Sequence, residues 1–292
     1  MNFETTEPLV SILMTAFNRE NYIAEAIESV LASTYQNFEL IIVDDCSTDK
    51  TAEIAQSYTY DKRVKVYVNE NNLQQFKNRN KAASYAIGKY LKYVDSDDVL
   101  YAHSLAFMVQ IMESNTECGM GFSHYSGNSK YILPHSYSSK ELFVEHYFGG
   151  GILFTGPIGT IIKKEAFDKV GGFELYGMPS DNHFSLKLAS LYPVVSMYRD
   201  LIWWRTHNAQ AFSGVDDDIN IFNSFKWNFD ILTNANCPLD EADRLKAIKN
   251  LKKIFIRNFF SRLLKNPSKI QRFRKKLNAN KINLSALMKE VL

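Results

Sequence analysis

Along the first hundred residues, apolar positions follow two alternating rhythms. Leu9–Thr15, Phe38–Val43 and Tyr90–Val94 are short, nearly continuous apolar runs of strand length, and Val64–Val68 alternates apolar with polar. Between them, apolar residues recur every three or four positions. Ile23, Ile27, Val30 and Leu31 mark a helix over Tyr22–Leu31. A second helix runs to Gln56 after the cap candidates Ser47, Thr48 and Asp49. A third spans Phe76–Ile87, closed by Gly88. A fourth spans His103–Ser114 on Leu105, Met108, Ile111 and Met112. Strands alternating with helices predict an α/β fold with a mostly parallel sheet flanked by helices. From Phe122 to Thr206 the elements shorten and glycines and aromatics increase. After Asp216-Asp217-Asp218, whose acids suit the start of a helix, the pattern is helical to the end apart from Pro238 and Pro267. The expected organisation is an α/β domain over residues 1–215 and a helical C-terminal extension over 216–292.

Composition adds a class and charge adds an asymmetry. The 292 residues are 46% hydrophobic and 23% charged, the values of an ordinary globular protein. Residues 1–10 carry Glu4 and Glu7 and no basic run, so export is not expected. The longest uncharged stretch, Tyr147–Ile162, is broken by glycines and Pro157 and reads as loop, not membrane span. Cys46, Cys118 and Cys237 are odd in number and widely spaced, which fits a reducing cytoplasm. Residues 244–292 hold 15 Lys and Arg against one acid, Glu290. That is a net +14, and the chain's total of +2 leaves −12 for residues 1–243. Such a tail either packs an apolar stripe (Leu251, Ile254, Phe255, Phe259, Leu263) on the domain or docks on an anionic membrane surface. No nucleic-acid module accompanies the charge, so nucleic acid is not an expected partner.

The candidate chemistry lies just past two strands. Val43 is followed by Asp44-Asp45, and Val94 by Asp95-Ser96-Asp97-Asp98. In open α/β sheets ligands bind at this carboxyl edge. Carboxylates crowded there repel one another unless something positive sits among them, and a hard divalent cation bridging to a diphosphate is one solution. In D-x-D the outer carboxylates can face one ion while the middle side chain points away. In the other reading Asp and Ser merely cap the next helix and the acids are solvated.

Val10-Ser-Ile-Leu-Met-Thr-Ala-Phe-Asn18, Phe38-Glu-Leu-Ile-Ile-Val-Asp-Asp-Cys-Ser-Thr-Asp49, Arg79-Asn80 and Tyr93-Val-Asp-Ser-Asp-Asp98 occur in that order. Together, over about residues 8–215, they resemble the family 2 inverting glycosyltransferases of the GT-A fold. The resemblance implies a nucleotide-sugar donor, with uridine diphosphate the expected carrier, a carbohydrate or lipid-linked acceptor, and Mn²⁺ or Mg²⁺ as cofactor. It places Thr15, Phe17, Asp45 and Arg79 at the nucleotide, Asp95 and Ser96 near the ribose and metal, and Asp97 on the metal. The family's base follows a Gly-Gly-Phe segment at the start of a helix. Here Val170-Gly-Gly-Phe-Glu174 precedes Pro179-Ser180-Asp181, and Asp181 matches the base. Ser180 stands where a Glu is usual. An N-cap role for Asp181 is compatible with the same position. Trp203-Trp204-Arg205-Thr206-His207 resembles the segment that closes the site, which makes His207 a second metal candidate or an ordinary imidazole.

Two rival functions are weighed on the same residues. A sugar nucleotidyltransferase is expected to open with a Gly-rich phosphate loop, where this chain has Thr15-Ala-Phe-Asn18, and Gly149–Gly159 lacks a G-K-[ST]. The glycine-rich stretch reads instead as acceptor-cleft lining. A nucleotide-sugar-binding module without turnover is the other alternative, and the retained D-x-D and Asp181 speak against it. The sequence expectation is an enzyme in surface polysaccharide or glycoconjugate synthesis, cytoplasmic or peripheral on the inner face of the membrane.

Overall fold

The computed structural model describes residues 7–123, 130–153, 156–175, 180–198, 201–207 and 217–291. The boundary expected near residue 215, together with Asp216 and Pro179, lies outside them. In chain order the elements of the first half are β1 (Val10–Ala16), α1 (Ile23–Leu31), β2 (Phe38–Asp44), α2 (Thr51–Ser57), β3 (Val64–Val68), α3 (Gln75–Ser84), β4 (Tyr90–Tyr93), β5 (Val99–Leu100) and α4 (Ser104–Ser114). The middle adds β6 (Met120–Ser123), β7 (His135–Tyr137), α5 (Ser139–Phe148), β8 (Thr160–Lys163), α6 (Lys164–Val170), α7 (Ser180–Ala189), β9 (Val194–Met197) and β10 (Ile202–Trp203). The remainder is α8 (Asp217–Thr233), α9 (Glu241–Lys265), α10 (Ile270–Ala279) and α11 (Leu284–Val291).

Among these residues, eight strands form one sheet in the order β3-β2-β1-β4-β8-β6-β9-β7, and β5 pairs with β10 apart from it. β1, β2, β3 and β4 are mutually parallel, and β8 runs antiparallel between β4 and β6. Because β2 and β4 flank β1 on opposite sides, the connections leaving β1 and β4 diverge and open a crevice at the carboxyl edge. The register fixes what lines it. Ala16 pairs with Asp44 and Leu13 with Tyr93, so the acidic segments after β2 and β4 both emerge beside the end of β1.

Alternation along the strands sorts the core into two layers. Leu13, Ile41, Val43, Leu91 and Tyr93 face α3, α6 and α7. Ile12, Met14, Leu40, Ile42 and Tyr90 face α1 and α4 on the other side. Trp227, Ile231 and Leu232 of α8 belong to the first of these layers. Beyond it α8 and α9 build a small cluster of their own. Phe222 meets Phe255 and Phe273 edge-on at 5.5 and 5.7 Å, and Leu251, Phe259 and Leu263 complete the packing. The tail's apolar stripe therefore packs inward, except Ile254, which is 47% exposed.

Two boundaries differ from the periodicity, each for a local reason. The third helix stops at Ser84, because Tyr85–Gly88 turns to feed β4. Gly88 is not that helix's cap. A β-carbon on it would lie 2.7 Å from both the Leu9 carbonyl and the Ser11 nitrogen, so its role is close backbone approach to β1. Ahead of α2, Asp49 takes the Thr51 N–H at 3.0 Å, while Ser47 turns back to bond Asp44.

Gly88→Ala forces two backbone segments apart where no side chain can yield. A loss of about 1–3 kcal/mol is expected, the range for an added methyl group in a packed interior. Urea unfolding at equilibrium measures it, and a midpoint equal to that of the parent would refute the close-approach role.

Candidate active site

The turn after β4 concentrates negative charge, and each acid on it is held by a group from a different part of the chain. Arg79, on α3 and almost fully buried, donates from Nη2 to Asp95 Oδ1 at 2.8 Å. Arg19, in the β1–α1 connection, donates from Nε to Asp97 Oδ2 at 2.8 Å. His207 Nε2 lies 3.0 Å from the same oxygen, and its ring packs on Tyr22 at 4.7 Å. Asp98 is buried and accepts the Arg205 N–H at 2.9 Å. Arg205 also donates from Nε to the Asp97 carbonyl at 2.8 Å and from Nη2 to Glu25 at 2.5 Å.

These acids do not share the space freely. Burial, then the neighbouring Asp95, pushes the Asp98 carboxyl up to about 7, with Asp97 adding to the effect and the Arg205 N–H opposing it. Lys92 sits beneath them on β4, fully buried, its ammonium donating to the carbonyls of Ile158 and Thr160. Burial lowers it to about 7, and the fields of Asp95 and Asp98 act to raise it.

Asp181, in the first turn of α7, joins the cluster from the face of the sheet that α3 also covers. Its Oδ1 accepts the Asn182 N–H at 2.8 Å. Burial raises its affinity for a proton, while the Asn182 N–H and Arg79 pull the other way and Asp95 adds to the rise. Arg79 thus stands among Asp95 and Asp181, residues far apart in the sequence. The second oxygen, Oδ2, faces Gly156 (φ +61°), where a β-carbon would stand 3.6 Å away.

What aims α7 is a clamp from α3. Asn80 accepts the Phe173 N–H at 2.9 Å and donates to the Phe173 carbonyl at 2.8 Å. Gly171 and Gly172 precede it with φ of +84° and +70°, and a β-carbon on Gly172 would approach Asn80 Oδ1 to 2.6 Å. The Gly-Gly-Phe segment is glycine-rich because its backbone is left-handed and lies against Asn80.

Thr15, one residue before the end of β1, is half-buried, and its carbonyl accepts the buried Ser96 hydroxyl at 2.9 Å, so the middle residue of D-x-D is turned into the protein. Phe17 is exposed just beyond the strand. Asp45 is buried, and its Oδ1 accepts from Asn69 Nδ2 and the Leu73 N–H, both at 2.8 Å. It braces the β3–α3 connection. Asp217 begins α8, and the side chains of Asp217 and Asp218 lie outside the described residues. Arg19, Lys92 and Arg205 were missed by sequence reasoning, and Asp98 was noted among the acids without a role. The signal was there for two of them: Arg19 follows the quoted Phe17-Asn18, and Arg205 lies within the segment that led to His207.

Comparison with known proteins identifies the family and the fold. Residues 11–171 match the family described as Glycosyl transferase family 2. The chain is 34% identical over 139 residues to the Escherichia coli UDP-Glc:alpha-D-GlcNAc-diphosphoundecaprenol beta-1,3-glucosyltransferase WfgD, covering 46% of this chain and 54% of that one. The crystal structure of S. aureus TarS in complex with UDP-GlcNAc superposes with a TM-score of 0.71 at 20% identity, over 97% of this chain and 81% of that chain. The mannosyltransferase PcManGT from Pyrobaculum calidifontis, in complex with GDP-Man and Mn²⁺, superposes with a TM-score of 0.58 at 13% identity, over 98% and 86% of the two chains. The alignments span only 16% to 61% of the length of the curated relatives compared. The fold is that of the GT-A glycosyltransferases, with more than half of the sequence inside the family match, and the chain belongs to glycosyl transferase family 2.

Proposed function

We propose that this chain transfers a sugar from a nucleoside-diphosphate sugar, with uridine as the expected base, to an acceptor hydroxyl with inversion at the anomeric carbon. The observation that carries the reading is the meeting of Arg79, Asp95 and Asp181 beside the Asp97–Arg19–His207 group, at the crevice where sheets of this kind bind ligands. Asp181 is the base. Its Oδ1 is occupied by the Asn182 N–H, and Oδ2, beside the bare Gly156, takes the acceptor proton. The acceptor oxygen forms its bond to the anomeric carbon as the bond from that carbon to the diphosphate breaks, and the nucleoside diphosphate leaves with the electron pair. Arg79 and Arg19 supply fixed positive charge near the departing group.

Asp97 and His207 would hold Mn²⁺ or Mg²⁺. A carboxylate oxygen and an imidazole nitrogen 3.0 Å apart can both reach one ion, and the carboxylates of Asp95 and Asp97 are negative charge that a cation would offset. Bound there, the ion supplies Lewis-acid stabilisation of the leaving diphosphate. Because Arg19 already pairs with Asp97, the side chain has to share or yield that oxygen.

The acceptor proposed is a lipid-linked carbohydrate of the kind that the name of WfgD specifies. A lipid-linked acceptor places the reaction at a membrane surface, proposed here as the cytoplasmic face with peripheral attachment; among the described residues no helix is long and apolar enough to cross a membrane.

Two measurements test this reading. Asp181→Asn is expected to bind uridine diphosphate as the parent does while turnover falls roughly 10²–10⁴-fold, the usual worth of a general base. Because burial raises the Asp181 pKa, parental kcat/KM should fall, as pH is lowered, at a higher pH than a free carboxylate would give. Parental turnover in the variant removes Asp181 from the mechanism. Separately, Mn²⁺ is expected to tighten uridine diphosphate binding, and Asp97→Ala to abolish most of that gain. Equal affinity with and without the ion defeats the metal assignment.

A further inference from the structure

Once α8 covers the inner face of α9, the opposite face is left with an unusual composition. At 100° per residue, Lys249, Lys253, Arg257, Phe260 and Leu264 fall within an arc of roughly 80°, about half a turn away from the buried Phe255 and Phe259. All five are exposed, Phe260 at 37% and Leu264 at 81%. Lys246 extends the stripe toward the domain, its ammonium 4.9 Å from the centre of the Phe148 ring. The bases have little acid to pair with inside the tail. Glu290 is the single carboxylate side chain in residues 244–292, and Lys252 already engages it.

A purely solvated helix face gains nothing from an almost bare leucine one turn after an exposed phenylalanine. An aqueous protein partner with an acidic surface would satisfy the lysines and leave the two apolar side chains unexplained. An anionic bilayer satisfies both, because its headgroups attract cations while its acyl boundary accepts Phe and Leu. The apolar pair lies at the C-terminal end of the stripe, beyond Arg257, so apolar insertion and charge attraction act on one continuous surface.

We propose that this outward face of α9, and not the apolar stripe facing α8, seats the protein on an anionic lipid surface. The inference rests on the lipid-linked acceptor proposed above and adds the surface by which the enzyme reaches it. Attachment is reversible and salt-sensitive, since exposed charges are screened over about 10 Å at 0.1 M. The packed Phe222–Phe255–Phe273 cluster keeps α9 folded in the absence of lipid, so the face is preformed.

The test uses the full chain and vesicles of phosphatidylcholine, alone or mixed with phosphatidylglycerol. The protein should sediment with the mixed vesicles, release on raising the salt, and stay in solution with phosphatidylcholine alone. Each basic residue near such a surface contributes about 1 kcal/mol, so K249Q/K253Q/R257Q should lower the partition coefficient about a hundredfold. F260S/L264S should also lower it while leaving the salt dependence in place. Uridine diphosphate binding by both variants should match the parent, which establishes that they fold and separates this test from that of the transfer reaction. Equal sedimentation with both vesicle types, or parental partition of the triple Gln variant, overturns the proposal. So does a homopolymeric RNA that displaces the protein from mixed vesicles at equal phosphate concentration.

Discussion

Mutual repulsion among Asp95, Asp97 and Asp98 is the constraint around which the site is organised. Three carboxylates within four residues cannot sit on one short turn unless each is compensated, and here the compensation is non-local. Arg79 comes from α3, Arg19 from the end of β1, and the Arg205 N–H from beyond β10. Each pairing draws a separate segment onto the carboxyl edge of the sheet. The electrostatic problem and the assembly of the crevice are thus one problem, and the Asp98 carboxyl, pushed up to about 7 first by burial and then by Asp95, is where the two meet.

The parts of this arrangement that could be read from sequence are those set by local pattern. The four parallel strands follow from apolar runs, and the acids stand out because they directly follow two of those runs. Asp181 was proposed because a Gly-Gly-Phe segment precedes it, and the structure supplies a reason for that segment in two left-handed glycines, the second lying against Asn80. Lys92 could not be read in this way. A lysine in a strand signals an exposed position by pattern, whereas here it is fully buried and bonded to carbonyls about seventy residues away. Gly88 was legible as a glycine that matters, but helix closure and close backbone approach leave the same mark in a sequence.

The tail shows the same division in reverse. Its charge is obvious from composition, and its apolar stripe from periodicity, but periodicity does not say which face a neighbour covers. With α8 supplying Phe222 and Phe225 to that stripe, the question moves to the other side of α9. Residues that lay outside the apolar stripe, Phe260 and Leu264, become the informative ones.

Arg79 and Asn80 are adjacent on α3, yet one bonds the acid turn and the other holds the Gly-Gly-Phe segment. This dipeptide therefore acts as a ruler between the acid turn and that segment. Neither can shift along the crevice without displacing the other.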